Sequence, residues 1–127
     1  MLKQFLIILF VGMLSVVSAQ NETSFLNALK NSDTSTMSPY LEDNVDFCLF
    51  EDQQILNKNV ALSRLKEFLQ THKIVGVEVM HKGTSKDKTS QFKVVKISTP
   101  KDTFRLFIYS KGEIGTKTIK EIRIDKF

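Results

Sequence analysis

His81 and Asp46 are the residues whose chemistry could serve acid–base catalysis. His81 lies in an alternating segment, in phase with Val77 and Val79, and would be a general base or ligand donor if that face points inward. Asp46 alternates out of phase with its apolar neighbours. Acid–base catalysis requires such a group to be held in a mostly dry pocket that tunes its pKa. The structural alternatives are a hydrogen-bonded histidine near a strand end, and an aspartate that faces solvent or pairs with a lysine.

Tyr40, Arg105 and Tyr109, together with His81, are the candidates for ligand binding. Arg105 shares a predicted strand face with Phe107 and Tyr109. An arginine among aromatic rings can clamp a carboxylate or phosphate, or it can pair with an acidic residue on a neighbouring strand. Tyr40 and Tyr109 are the only tyrosines in the chain. Either hydroxyl could reach into a pocket, although most tyrosines contribute mainly apolar area.

The remaining motif searches lead us to expect no cofactor and no metal. The sequence contains no glycine-rich phosphate loop and no nucleophile elbow of the Gly-x-Ser-x-Gly type. His72 and His81 lie on either side of a helix end and lack metal-ligand spacing. Cys48 is the single cysteine and lies in an apolar stretch, which predicts a core residue and excludes an intramolecular disulfide.

Residues 1–19 have the pattern of a secretory signal peptide. A basic start precedes an almost wholly apolar run from Phe5 to Val17, and small residues up to Ala19 precede Gln20. This pattern predicts cleavage before Gln20 and export to the periplasm or the cell exterior, with an uncleaved anchor as the alternative. The run is short for a transmembrane helix, so we expect the mature chain not to be membrane-embedded.

The mature chain, residues 20–127, has the length of one domain. The whole sequence carries 18 basic and 14 acidic residues, and the lysines are scattered with acidic residues between them. Nucleic-acid binding usually requires a denser basic patch, often with exposed aromatic side chains. We therefore expect no nucleic-acid partner, and a partner that is an unknown small molecule or protein.

The elements that must position these residues are predicted as helices first and strands after. Helical spacing favours one helix capped at Thr23 or Ser24, a short one capped at Asp33, and a third capped at Asn57 or Asn59. A strand is predicted from Val45 to Phe50. Four further strands are predicted over Ile74 to Lys82, Gln91 to Ser98, Thr103 to Ser110 and Lys117 to Asp125. This order predicts an α+β fold in which helices cover one face of an antiparallel sheet and form a cone.

The predicted core contains the apolar side chains that share the inward phase of these elements. They are Phe25, Leu29, Leu41, Val45, Phe47, Leu49, Leu62, Leu65, Phe68, Val77, Val79, Val94, Phe104, Leu106, Ile108, Ile122 and Ile124.

A family resemblance is carried by six segments. They are Phe25 to Lys30, Leu41 to Asp46, Leu65 to Leu69, His81 to Ser85, Thr103 to Leu106 and Ile119 to Ile124. With these segments the chain resembles a group of small secreted bacterial proteins known as domain of unknown function 4783. The resemblance implies export and a nuclear transport factor 2-like cone, with three helices in the N-terminal half packed on a curved antiparallel sheet of four to six strands. It implies no activity and no site residues.

The sequence therefore favours a non-catalytic ligand-binding or protein-interaction module over an enzyme. One alternative is a small isomerase or dehydratase that uses His81 or Asp46 inside the cone, as enzymes of the wider fold do. The other is a structural dimerisation module with a filled cone, in which the open sheet face forms a homodimer. Arg105, Phe107 and Tyr109 would then be contacts.

Overall fold

The computed structural model describes residues 20–113 and 116–127, so the predicted signal peptide lies outside the described residues. The helices are α1 (Gln20–Lys30) and α2 (Lys58–Thr71). The strands are β1 (Leu41–Leu49), β2 (Asp52–Asn57), β3 (Gly76–Thr84), β4 (Ser90–Ser98), β5 (Thr103–Lys111) and β6 (Thr118–Lys126). Among the described residues, no helix is long and apolar enough to cross a membrane.

The six strands form one curved sheet in the order β2-β1-β6-β5-β4-β3. The predicted antiparallel meander from β3 to β6 is confirmed. The prediction of a wholly antiparallel sheet is wrong, because β1 and β6 are parallel neighbours. The chain makes the β1–β2 hairpin, crosses through α2 to the far edge, and returns strand by strand until β6 lies against β1.

The prediction of three helices is also wrong, since the described residues contain two α-helices. The segment after Asp33 forms two 3-10 turns instead, Thr34–Thr36 and Ser38–Tyr40. Pro39 has no backbone N–H and disfavours helical geometry at the residue before it, which prevents a continuous helix. Asp33 does not cap the first turn through its side chain.

The helix α2 is capped by Asn57, the first of the two residues predicted as its cap. Asn57 has extended backbone geometry, and its side-chain oxygen accepts a hydrogen bond from the Val60 N–H at 3.0 Å. This bond satisfies one of the backbone donors that a helix start leaves free. The apolar spacing of α2 then buries Ala61, Leu65, Phe68 and Leu69 against the sheet.

The core lies between the helices and the inner face of the sheet, which we define as the face that α1 and α2 cover. Most of the predicted core side chains are buried there, and Leu49, Leu62 and Val77 pack against its margin. The core prediction is wrong for two residues. Val79 is exposed near the sheet edge, and Val94 points to the other face because Val95 and Ile97 take the inward phase of β4.

Candidate functional site

Four of the five predicted site residues lie together on the outer face of the sheet, which is the face pointing away from the helices. The strand register forms a row across this face, because Asp46 pairs with both Ile55 and Glu121, and Glu121 pairs with Tyr109. Residues paired directly across neighbouring strands share a face. Arg105 precedes Tyr109 by four residues on the same face of β5, since side chains alternate along a strand. The fourth residue, His81, reaches this face through an irregularity in β3.

Asp46 and Tyr109 line one shallow pocket of about 330 Å³. Its other lining residues are Asn44, Ile55, Lys120 and Glu121. The Asp46 carboxylate accepts hydrogen bonds from Gln53 Nε2 at 3.1 and 3.3 Å, so a neighbouring strand holds it. The prediction that Asp46 faces away from the core is confirmed. Because the pocket is open, its carboxylate is not in the dry surroundings that acid–base catalysis requires.

Glu121 forms an ion pair with Arg123, which lies two residues further along β6. The Arg123 Nε donates to Glu121 Oε2 at 2.8 Å. That hydrogen bond, together with the charge of Glu121, raises the pKa of the Arg123 guanidinium. The pair is half-exposed, so it adds to the charge pattern of the face more than to stability.

Arg105 stacks on an aromatic ring. Its guanidinium lies 5.0 Å from the centre of the Phe127 ring, and Lys96 Nζ lies 5.6 Å from the same ring centre. In the register of the sheet, Arg105 stands between Asp125 on β6 and Lys96 on β4. Two cations thus lie over one ring at this end of the outer face, with Asp125 beside them. The other end carries Asp46 and Glu121, with Lys120 and Arg123 beside them.

His81 does not share the face of Val77 and Val79, because the register of β3 shifts between Val79 and His81. Val79 pairs with the buried Val95, whereas His81 pairs with Val94. One extra residue in a strand reverses the alternation of everything that follows it. His81 is therefore an exposed residue of the outer face.

The centre of the outer face is aromatic. The Phe92 and Phe107 rings stack with their centres 6.0 Å apart, and the half-buried Tyr109 is the cross-strand neighbour of Phe92. On the far side, the Phe92 ring covers Gly83, where an added Cβ would come within 2.3 Å of it. The absence of a side chain at Gly83 thus lets the ring lie flat over β3.

Tyr40 is the one predicted site residue that is not brought to this face. It ends the second 3-10 turn, and its ring is half-buried against the core. The structure thus separates Tyr40 from Arg105 and Tyr109.

A polar cluster at one end of the inner face was not found from the sequence. Glu22 of α1 is 1% exposed. Its Oε2 accepts from the Ser110 hydroxyl at 2.8 Å, its Oε1 accepts from Gln91 Nε2 at 2.7 Å, and Lys93 Nζ lies 3.6 Å from Oε1. We call Glu22, Gln91, Lys93 and Ser110 the polar end. Glu22 precedes the buried Phe25, Leu26 and Leu29 at helical spacing, which is the sequence signal for its burial.

The opposite end of the inner face is aromatic, and we call it the aromatic end. It consists of Phe50, Phe68, His72 and Phe104. The His72 ring stacks on Phe68 at 4.4 Å between ring centres and meets the Phe104 ring edge-on at 5.0 Å. His72 Nδ1 lies 3.0 Å from the Phe68 carbonyl oxygen, so this nitrogen carries the proton and donates it.

The arrangement offers binding surfaces more clearly than a reaction centre. In the part of the chain that the structure describes, no three His, Cys, Asp or Glu side chains are grouped so that they could hold a metal ion. The buried Cys48 thiol donates to the Phe50 carbonyl oxygen at 3.2 Å.

Comparison with known proteins relates this geometry to one family. A family model described as "Domain of unknown function (DUF4783)" matches residues 23–125. No curated protein matches the chain in sequence. A crystal structure of a DUF4783 family protein from Bacteroides ovatus is 27% identical, with a TM-score of 0.72 over 80% of this chain and 90% of that chain. A DUF4783 family protein from Bacteroides uniformis is also 27% identical, with a TM-score of 0.72 over 80% and 92%.

More distant structures share the fold alone. An NTF2-like protein from Cytophaga hutchinsonii is 15% identical, with a TM-score of 0.62 over 86% of this chain and 94% of that chain. The nuclear transport factor 2-like fold predicted from the sequence is thus confirmed in its coarse form, with a six-stranded curved sheet and two helices among the described residues.

Proposed function

The chain belongs to the domain of unknown function 4783 family, and from that premise we propose that it is a non-catalytic interaction module that pairs with a second copy of itself through the outer sheet face. The observation that carries this proposal is the aromatic centre of that face. Phe92 is 37% exposed and stacks on Phe107, and Ile55 in the same row as Phe92 is 78% exposed. Apolar side chains gathered on one face and rimmed by charges mark interaction sites.

The charge pattern of the face supports a second copy as the occupant. One end of the face carries Asp46 and Glu121 beside Lys120 and Arg123. The other end carries Lys96 and Arg105 beside Asp125. A two-fold interface pairs one surface with itself, and a surface that carries both signs of charge can complement itself electrostatically.

The size of the face also supports such a pairing. A sheet of six strands, spaced by about 4.8 Å and about 30 Å long, presents about 800 Å². A stable interface of standard size needs about 800 Å² from each partner. The sheet face alone can supply that area.

The positions of the acid–base candidates favour this proposal over an enzyme. The isomerase or dehydratase alternative needs His81 or Asp46 inside the cone, and both lie on the outer face. Among the carboxylates that the structure describes, only Glu22 is buried, and both of its oxygens already accept hydrogen bonds. We further propose that pairing takes place in the periplasm or outside the cell, as the leader at residues 1–19 predicts.

The experiment is sedimentation equilibrium of the purified protein from micromolar to millimolar concentration. The expected result is a concentration-dependent mass that approaches a dimer, and Phe92→Glu should leave a monomer with unchanged circular dichroism. The matched control is Val60→Glu on α2, since Val60 is 40% exposed and Phe92 is 37% exposed. A monomer throughout, a dimer that survives Phe92→Glu, or equal loss in Val60→Glu would overturn the proposal.

A further inference from the structure

A second site, which shares the Phe92 ring with the outer face, lies beside the polar end of the inner face. There a pocket of about 380 Å³ is lined by Glu22, Lys82, Gly83, Thr84, Gln91, Phe92 and Lys93. A volume of this size suits a small organic molecule. We propose that this pocket binds a small organic molecule through its oxyanion group, a carboxylate or a phosphate, held between Lys82 and Lys93.

The two lysines are placed as a pair. Lys82 of β3 and Lys93 of β4 are direct cross-strand partners, so their side chains leave the same face of the sheet. Like charges placed directly opposite each other destabilise a sheet. A bound anion between the two ammonium groups would turn that repulsion into attraction.

The pocket already contains one carboxylate, that of Glu22, but this single negative charge does not balance both lysines. Glu22 lies within 3.6 Å of Lys93, and its two oxygens are the acceptors for Gln91 and Ser110. Two cations and one anion leave the pocket lining with a formal charge of about +1 at neutral pH. An anionic ligand is therefore favoured over a cationic one.

The surroundings would strengthen the contact. The Lys93 side chain is 16% exposed, so an anion beside it would be partly withdrawn from water. Charge interactions are stronger where water is excluded. Glu22 and its hydrogen-bonded partners hold Lys93 in position before a ligand arrives, which lowers the entropy lost on binding. Thr84 contributes a hydroxyl that can donate to an oxyanion.

The test is a titration of the full protein, labelled with ¹⁵N, with sodium acetate in one arm and inorganic phosphate in the other. Sodium chloride at matched ionic strength is the reference. Saturable shifts of the Gly83, Gln91 and Lys93 amide signals are expected with at least one probe. The probe that gives saturable shifts, acetate or phosphate, tells whether the site takes a carboxylate or a phosphate.

Lys82→Gln should weaken that binding at least tenfold, because it removes one of the two ammonium groups while Glu22 keeps Lys93 in place. Lys120→Gln is the matched control, since Lys120 is an exposed lysine beside the pocket on the outer face. Shifts no larger than those with chloride, or equal affinity in Lys82→Gln and wild type, would overturn the proposal. Because the dimer is measured without either probe, failure here leaves the proposed pairing standing.

Discussion

The two ends of the inner sheet face differ in the chemistry of their side chains. At the aromatic end, Phe104 begins the inward row of β5 and packs among Phe50, Phe68 and His72. At the polar end, Ser110 finishes the same row by donating to Glu22. One strand thus passes from close ring packing to a buried charge. The aromatic end therefore contributes to stability mainly through buried apolar area, and the polar end mainly through a satisfied hydrogen-bond network.

The largest effect is expected at the aromatic end. Phe104→Ala should lower the free energy of unfolding by about 3–5 kcal/mol, because a large buried ring is lost and leaves a cavity. Urea unfolding followed by circular dichroism measures it. Phe107→Ala on the outer face of the same strand is the control, since Phe107 is only half-buried. Equal losses in the two variants would show that the inner face does not dominate stability.

The polar end should give the next largest effect. Glu22→Ala removes the acceptor of Gln91 and Ser110 and the counter-charge of Lys93. Breaking a buried pair by removing one partner costs about 3 kcal/mol or more. Urea unfolding again measures it, with the exposed Glu67→Ala on α2 expected to change stability by less than about 0.5 kcal/mol. A loss at Glu22 as small as the loss at Glu67 would contradict the network.

A smaller effect separates ring packing from hydrogen bonding at the aromatic end. His72→Phe keeps a ring against Phe68 and Phe104 and loses the bond to the Phe68 carbonyl. His72→Ala loses both, and should unfold about 1 kcal/mol more easily than His72→Phe, which is the usual value of an aromatic contact. Equal stability of the two variants would mean that the ring contacts contribute nothing.

The smallest effect concerns the β3–β4 loop beside the polar end. Hydrogen bonds from Ser85, then from Thr89, lower the pKa of the Asp87 carboxyl from 3.8 to about 2. The contribution of Asp87 to stability is therefore present above pH 3.8 and is lost as the pH falls through about 2. A carboxyl ¹³C titration should show the low midpoint, and Ser85→Ala should raise it. Ser63→Ala on α2 should leave it unchanged, and a midpoint near 3.8 in wild type would refute the loop geometry.

The sequence predicts the aromatic end of the inner face more readily than the polar end. Phe68 and Phe104 lie in strongly periodic apolar segments, so their burial follows from spacing alone. Glu22 lies on the apolar side of a weakly apolar helix, and its three partners come from distant strands. Only the register of the folded sheet brings those partners together.

The outer face was predicted in part. The alternation of β5 correctly places Arg105, Phe107 and Tyr109 on one face, and the phase of Asp46 is correct. The strand faces predicted for His81 and Val94 are wrong for local reasons. A strand irregularity carries no composition signal in β3, and Val94 and Val95 are equally apolar, so spacing alone cannot decide which of them points inward.

The parallel pairing of β1 with β6 has a kinetic consequence. Among the described strands, the β1–β2 hairpin joins the rest of the sheet through β6 alone, and β6 follows all the others in sequence. Contacts between residues far apart in sequence form slowly, because a long loop must close before they can contribute. We therefore expect the β3–β5 meander to assemble early and the hairpin to dock last. Weakening the β1–β6 contact should then speed unfolding more than it slows folding.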